Sequence, residues 1–306
     1  MIDGDLMSMF SRIFTPELGE ANAQERPLPA TRKELFRRAL HDHAYGLAGM
    51  SMLVGLIQLP GEIWTFLQFL SLKIDANDAA FSVSPDWLYS YLLVLWPCIA
   101  VSGPWMAGIS RILRDLARGQ EPRRREVFFS ALRDSWKPFL LSAVISGAIP
   151  FFSLMAVVSV QSLTPDDRFS RVLLALFFLF AAVWFLIQPT LRVVMVTYRL
   201  SFPAMVWNAF FLTFRRFFPS LGIAFLSLFP AAFAAMFILA YPGSVALVLS
   251  VWAAYTLFYG YALRLLLHCS YGNRLCERFI NIHIPGAKVD IGLAGEYEID
   301  GGTADP

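Results

Sequence analysis

The chain has 306 residues, of which 57% are hydrophobic, and its mean hydropathy is +0.56. This composition is more apolar than that of a soluble domain of the same length, so it predicts a protein whose main partner is the lipid bilayer. The net charge of +2 gives no reason to expect a nucleic acid as a partner.

The first 43 residues are mostly polar and precede the first long apolar stretch. Positions 2–14 place large apolar residues at helical spacing, which is typical of either a short amphipathic helix on the inner leaflet or a loosely ordered start. Three prolines predict a linker over 15–31, and a charged helix should follow over 31–43. We predict that residues 1–43 form a cytoplasmic N-terminal segment and that the first span is an uncleaved anchor.

Six long apolar stretches follow, and each supplies the ~20 residues needed to cross the hydrocarbon core of a bilayer. Pro60 and Gly61 interrupt the first of them. We predict an all-α membrane domain over residues 44–268 with six transmembrane helices. The six stretches are 44–70, 87–110, 138–160, 171–197, 218–241 and 244–268.

The basic residues are divided unequally between the two sides of these spans. Of the 25 Lys and Arg residues, six precede span one, eight lie between spans two and three, four lie in the inner end of span four or between spans four and five, and four lie at or after the end of span six. The alternate connections hold only Lys73, Arg168 and Arg171. Basic residues remain on the cytoplasmic side during insertion. The pattern therefore predicts a multi-pass protein of a bacterial inner membrane with both termini in the cytoplasm.

The connections after spans two and four each predict an amphipathic helix at the inner membrane surface. In the first connection, Gly119 and Pro122 break the chain, and residues 124–137 then set apolar side chains against basic ones. The second helix begins at Pro203 and ends near Arg216. The pattern is consistent with a parallel duplication of spans two and three as spans four and five. Amphipathic helices of separate origin would give the same pattern.

The end of the chain differs in composition from the spans. From about residue 281 it has few large apolar residues, several glycines and an acidic excess. Such a composition cannot bury enough apolar surface to fold by itself. We predict that residues 269–306 form a cytoplasmic, mostly disordered tail, with at best a short strand around Lys288–Leu293.

Ionisable and amide side chains at apolar depth are expensive and therefore indicate candidate functional residues. Glu62 lies late in span one near Gln58, and Arg192 follows Gln188 within span four. We predict that these four side chains form an intramembrane polar cluster. For Arg192 the alternative is a side chain that extends to the inner headgroups, which is the interpretation we favour for Arg264.

The sequence contains no motif that would carry catalysis or bind a cofactor. It lacks a Walker phosphate loop, a GxSxG motif, an HExxH motif and cysteines paired at metal-ligand spacing. His41 and His43 face different sides of a helix start, which favours a solvated cluster over a metal site. We predict a protein that is not an enzyme and that holds no metal or cofactor.

One region carries a pattern of known type. A Gly-Pro-x-x-Ala-Gly run leads into a helix that ends at an Arg-Gly turn, and a Phe-Phe-x-Ala-Leu-Arg helix and an aromatic-basic return to the membrane follow. With the segment 197–221, this region resembles the YesL-like family of bacterial membrane proteins over roughly residues 50–240. The residues that carry the resemblance are Gly103, Pro104, Ala107, Gly108, Arg118, Gly119, Phe128, Phe129, Ala131, Leu132, Arg133, Trp136 and Lys137.

The resemblance implies a role but no chemistry. The family is a domain of unknown function, and many members are encoded beside binding-protein-dependent carbohydrate importers. This implies an accessory or regulatory protein in sugar uptake, with ABC-type importer subunits as partners. No catalytic residues are established for the family, so none is carried over. The sequence leaves a second hypothesis open, namely a small secondary transporter or channel that acts through self-association.

Overall fold

The computed structural model describes residues 27–71, 84–163 and 168–299, and most of this part of the chain is helical. The predicted amphipathic helix at 2–14 lies outside the described residues. The helices are α1 (Arg32–Asp42), α2 (Ala44–Ser71), α3 (Pro85–Leu116), α4 (Arg124–Leu163), α5 (Arg168–Thr197), α6 (Phe202–Arg215), α7 (Phe217–Ala240), α8 (Val245–Tyr255) and α9 (Tyr261–Phe279). Two short antiparallel strands, β1 (Lys288–Val289) and β2 (Tyr297–Glu298), lie near the end.

Helices α2, α3, α4, α5 and α7 are the five in the described part of the chain that are long and apolar enough to cross a membrane. The protein is therefore an all-α, multi-pass membrane protein by the length and composition of its helices. The sixth predicted stretch, 244–268, falls in a run made of α8, a π-helical turn at Thr256–Gly260 and α9. Helix α8 alone has 11 residues, which is too short to cross the hydrocarbon core.

Helices α3 and α4 form a tightly packed antiparallel hairpin. A Cβ atom added at Gly103 would lie 2.5 Å from the Cβ of Ala143, and one at Gly108 would lie 2.4 Å from the Phe128 ring. Small residues allow helix backbones to approach closely, which is how helices associate in a bilayer. The turn after α3 is made by Gly119, whose φ of 69° suits a residue without a side chain.

The first predicted amphipathic helix is not a separate element. Helix α4 runs without a break for 40 residues, through Pro138 and Pro150, so residues 124–137 are its first turns. A proline removes one backbone hydrogen bond, but a helix continues where its neighbours hold it in place. Here Phe128 is buried against α3, and Ser135 donates to the carbonyl of Met195 on α5 at 3.2 Å. The helix predicted after span four is present as α6.

Helices α7 and α9 run antiparallel. Their connection includes a short 3-10 turn at Pro242–Ser244. The hydroxyl groups of Ser220 and Tyr271 lie 2.7 Å apart, and the Ser227 hydroxyl lies 2.7 Å from Nε2 of His268. From Ser220 to Ser227 the residue number increases along α7, while that of the partner decreases along α9 from Tyr271 to His268. This is the pattern of two antiparallel helices.

The C-terminal tail differs from its prediction. Helix α9 continues past residue 268 to Phe279, and residues 281–299 fold back against the helices. Asn281 accepts a hydrogen bond from Tyr198 at 2.7 Å and donates to the Lys288 carbonyl at 2.9 Å, while the Ala294 amide donates to the Pro29 carbonyl at 3.1 Å. Contacts with distant segments order this part of the tail. Its own composition does not reveal them.

Candidate functional site: a cleft at the basic end

The structure divides the predicted intramembrane polar residues between two places. On α2, the Glu62 carboxylate accepts a hydrogen bond from the Tyr261 hydroxyl of α9. On α5, Gln188 accepts one from Ser142 of α4 at 3.3 Å. Gln58 lies one turn before Glu62 and is half-buried. Within the described ranges, no hydrogen bond or ion pair joins the two residues on α2 directly to the two on α5. Tyr261, which donates to Glu62, lies one turn before Arg264, and Arg264 interacts electrostatically with Arg192.

Arg192 lies one turn after Gln188 and is half-buried. It interacts electrostatically with Arg264 and Cys269 of α9. The amide nitrogen of Gln188 is buried and has no hydrogen-bond partner among the described residues. The polar groups of α5 therefore face α4 and α9, whereas Glu62 on α2 engages an earlier turn of α9.

The residues behind the family resemblance lie along the α3–α4 hairpin. Ala107 and Phe128 are buried in its interface, and Pro104 lies within α3. Phe129 and Trp136 are 53% and 42% exposed, respectively. The motif thus combines helix packing with an exposed aromatic surface, and it contains no reactive group.

A cleft of about 1000 Å³ opens between the end of α3, the first turns of α4, the end of α5 and the start of α6. We call this end of the bundle, where the ends of α3, α5 and α9 meet α1, the basic end. The cleft has the volume of a binding site for a small molecule or a few peptide side chains. Its walls carry both signs of charge, on Arg111, Lys137, Arg199, Asp115, Glu126 and Asp134.

Two arginines of α3 hold one wall of the cleft in place. The last carbonyl groups of a helix have no partner within the helix. At the end of α5, the Val196 carbonyl accepts hydrogen bonds from Arg111 and from Arg114, the latter at 3.1 Å. Arg114 also donates to Asp115 at 2.6 Å. Because cations at a helix C-terminus also interact favourably with its dipole, these bonds fix α5 against α3.

The rim of the cleft is open. The side chain of Arg199 is 93% exposed and lies 3.6 Å from the half-exposed carboxylate of Asp134. Exposed ion pairs of this kind contribute little to stability. Each of these side chains can therefore leave the ion pair and bind an oppositely charged group of a partner, and the loss of the pair costs little stability.

A buried ion cluster ties the basic end together beside the cleft. Glu277 of α9 pairs with Arg32 of α1, and its other oxygen lies 3.6 Å from Nε of Arg118 at the end of α3. Arg32 also donates to the Ile291 carbonyl in the tail at 3.3 Å. Burial raises the pKa of Glu277, and the two arginines oppose that rise. The cluster joins four segments of the chain, which is a structural role.

The groups near this cluster are poorly suited to catalysis. Burial raises the pKa of the Cys276 thiol to about 12, so it is neutral at pH 7, whereas the thiolate is the nucleophile and metal ligand. Burial likewise raises the pKa of Tyr198. Among the described residues, no group of three or more His, Cys, Asp and Glu side chains is placed to hold a metal ion. The arrangement supports binding through charge and hydrogen bonds.

Sequence reasoning did not find the cleft. Arg111 and Asp115 lie four residues apart on α3, a spacing that places their side chains on one helix face, and their charged groups lie 3.7 Å apart. The spacing of Arg111 and Asp115 could therefore have indicated from the sequence that these two charges form one surface. The contribution of Asp134, which lies on another helix, had no signal in the sequence.

No family model, curated protein or solved structure matches the chain. The fold and the cleft define a class, an all-α multi-pass membrane protein with a charged cleft at one end. The YesL-like resemblance remains a prediction from the motif residues.

Proposed function

We propose that the protein is a non-enzymatic accessory or regulatory protein of a bacterial inner membrane and that its cleft binds a cytoplasmic segment of a partner protein. The cleft carries this proposal, since it presents three cations and three carboxylates beside exposed aromatic rings. The family resemblance makes subunits of a carbohydrate importer the first partners to test.

The proposal includes six spans with both termini in the cytoplasm. The unequal division of basic residues supports the orientation, and the antiparallel packing of α7 and α9 supports a sixth crossing by the run from α8 to α9. A reporter active only in the cytoplasm, fused after Arg125, Arg216 or Pro306, should be active at all three sites. Periplasmic activity at Pro306 would leave five spans and refute the sixth.

The exposed surface beside the cleft supports a protein partner. On α4, Phe129 and Trp136 are 53% and 42% exposed, and they adjoin the cleft residues Ser130 and Ser135. Aromatic residues are enriched at protein interfaces, where they supply large contact area at low entropic cost. A partner segment that carries both charges and apolar side chains would match the cleft and this aromatic surface together.

Site-specific photo-crosslinking tests the docking site. We would place a photoreactive amino acid at Arg199, in the cleft, and as a matched control at Arg37, an exposed arginine on α1 outside the cleft. Cells growing on a sugar that induces an importer should give a crosslink to a permease or ATPase subunit from position 199 and none from position 37. Equal labelling from both positions, or normal sugar uptake in a deletion strain with no crosslinked partner, would contradict the proposal.

A second candidate is a small secondary transporter or channel that acts as an oligomer. The observation in its favour is the polar groups at apolar depth, above all Arg192 and the unpartnered amide of Gln188. Proteoliposomes that contain the purified protein should then transport a sugar or an organic anion. If Arg192→Ala left that flux unchanged, Arg192 would not be part of the pathway.

A further inference from the structure

Two arginines and a histidine of α5 and α9 lie together in the apolar part of the bundle. Helices α5 and α9 pack closely beside these residues, since a Cβ atom added at Gly272 of α9 would lie 2.5 Å from Val193 of α5. Arg192 and Arg264 interact electrostatically with each other, and His268 interacts with both. His268 is 2% exposed, and its Nε2 lies 2.7 Å from the Ser227 hydroxyl of α7. We call Arg192, Arg264 and His268 the cation cluster.

The pairing of Ser227 with His268 gives the depth of the cluster. Ser227 lies ten residues after Phe217, the first residue of α7, which corresponds to a rise of about 15 Å along the helix. The hydrocarbon core of a bilayer is ~30 Å thick. Arg264 lies one turn farther from the basic end than His268. Arg192 lies five residues before Thr197, the last residue of α5, which places it about 8 Å from the basic end of that helix. The cation cluster therefore extends from the level of Ser227 towards the headgroups on the basic side of the bilayer.

No acidic side chain in the described ranges pairs with the cation cluster. Tyr261 is the electrostatic neighbour that favours the charge on Arg264, and the nearby Glu62 is bonded to that tyrosine. In addition, Nδ1 of His268 is buried without a hydrogen-bond partner in the part of the chain that the structure describes. Positive charge without a counter-charge is costly at this depth. An anion that accepts hydrogen bonds from both arginines would remove this cost.

The cluster is also accessible from one side. Arg264 is exposed on the surface of α9, whereas His268, one turn away, is buried under α7. A phosphate group at the headgroup level of the basic side can therefore contact the arginines at the lipid-facing surface of α9 without entering the core of the bundle. Guanidinium groups bind phosphate with two parallel hydrogen bonds, so phosphate oxygens suit the pair of arginines well.

We propose that Arg192, Arg264 and His268 bind a phosphate group, supplied by a lipid headgroup or by a free phosphate anion. The two arginines contact the phosphate oxygens, and His268, held by Ser227, lies beside them. This site is distinct from the cleft at the basic end and does not depend on the docking function proposed for that cleft.

Native mass spectrometry of the full chain in a neutral detergent tests this site. The probes are phosphatidylglycerol, inorganic phosphate and, as a control lipid without a phosphate group, diacylglycerol. We would compare the wild-type protein with Arg264→Gln and Arg192→Gln, and with Arg274→Gln as a matched control. Arg274 is an exposed arginine ten residues farther along α9, outside the cation cluster.

We expect the wild-type protein to retain one phosphate-bearing ligand and the two cluster variants to bind it about tenfold or more weakly. Arg274→Gln should bind as the wild type does. Binding of phosphatidylglycerol alone would identify a lipid headgroup as the source, and binding of inorganic phosphate would identify a free anion. If Arg264→Gln fails to fold, as judged by gel filtration, the binding of Arg192→Gln is compared with that of the wild-type protein to test the site.

Two results would overturn the site. One is a wild-type protein that prefers neither phosphate-bearing probe to diacylglycerol. The other is an Arg274→Gln variant that loses as much binding as Arg264→Gln, because general attraction of headgroups to basic side chains would then explain the data.

Discussion

The basic end of the bundle and helix α7 are stabilised by different kinds of contact. At the basic end, buried arginines bond to carboxylates and carbonyls on other segments, as Arg114 does to Val196 and Arg32 does to Glu277. Helix α7 reaches α9 through hydroxyl contacts at Ser220 and Ser227 and otherwise presents exposed apolar side chains such as Phe229.

The difference shows which contacts can specify packing in a bilayer. Apolar side chains gain little when they exchange lipid for protein, so the apolar surface of α7 does not by itself fix the position of this helix. Hydrogen bonds and close backbone approach do fix helix positions. Substitutions at the basic end and in the α3–α4 hairpin should therefore have larger effects on stability than similar substitutions on α7.

The largest effect is expected at the ion cluster. Glu277→Ala should lower the free energy of unfolding by about 3 to 5 kcal/mol, because it leaves the buried Arg118 without its ion-pair partner and Arg32 with only the half-exposed Asp290. Glu34→Ala, which removes an exposed pair with Arg38 on α1, should change it little. Thermal unfolding of the purified variants in detergent would measure both, and equal shifts would show that the buried cluster contributes no more than a surface pair.

The second comparison concerns close packing. Gly103→Val should lower the free energy of unfolding by about 1 to 3 kcal/mol, because the new side chain overlaps Ala143 and the Phe139 carbonyl on α4. On α7, an added Cβ at Gly222 meets nothing within 4 Å, so Gly222→Val should be tolerated. Folded yield after gel filtration distinguishes the two variants. A poor yield of the α7 variant alone would reverse the comparison.

A smaller effect of opposite sign is expected at Gln188. Gln188→Leu should raise the free energy of unfolding by about 1 kcal/mol, since it replaces a buried amide whose nitrogen has no partner in the described part of the chain. Ser142→Ala should lower it, because Gln188 then also loses the donor to its oxygen. Melting temperatures in the same detergent test the pair. A loss of stability in Gln188→Leu would contradict the prediction and would show that the hydrogen bond from Ser142 contributes more than the unpartnered nitrogen costs.

The smallest effect is expected for the reaction rate of the Cys276 thiol, and measuring it leaves the contacts of Cys276 unchanged. In a variant that keeps only Cys276, maleimide should react slowly at pH 7.5, because the thiol is buried and its raised pKa of about 12 leaves almost no thiolate. A cysteine placed at the exposed Trp207 of α6 should react within minutes in the same background. Rapid labelling of Cys276 before denaturation would indicate that the basic end opens readily.

Helices and their termini were predictable because they depend on local signals. The charged helix expected at 31–43 is α1, Arg32–Asp42, and Thr31 accepts a capping hydrogen bond from the Glu34 amide at 3.2 Å. Prolines were misleading inside the spans. Pro60 and Pro138 lie within continuous helices, because the neighbouring helices, which the sequence does not identify, decide whether a proline ends a helix.

The candidate sites depended on pairs that are distant in sequence. Glu62 meets a tyrosine 199 residues away, and Ser142 meets Gln188 across 46 residues. The residue types were informative, since polar groups at apolar depth did lie in packed positions. The sequence did not identify the partners of these groups, because helical periodicity shows which residues share a face but not which other helix that face contacts.

The π-helical turn at Thr256–Gly260 has a consequence for how this protein can change. A π turn contains one residue more than the α-helical turn it replaces, so it sets the rotational phase of everything after it. If this turn rewound to regular α-helix with every residue kept, residues 261–279 would rotate by about 100° relative to α8. That rotation would move Arg264 and His268 away from Arg192 and Ser227 in one step. A change in the winding of one turn can thus redirect a whole face of α9 without any change of sequence.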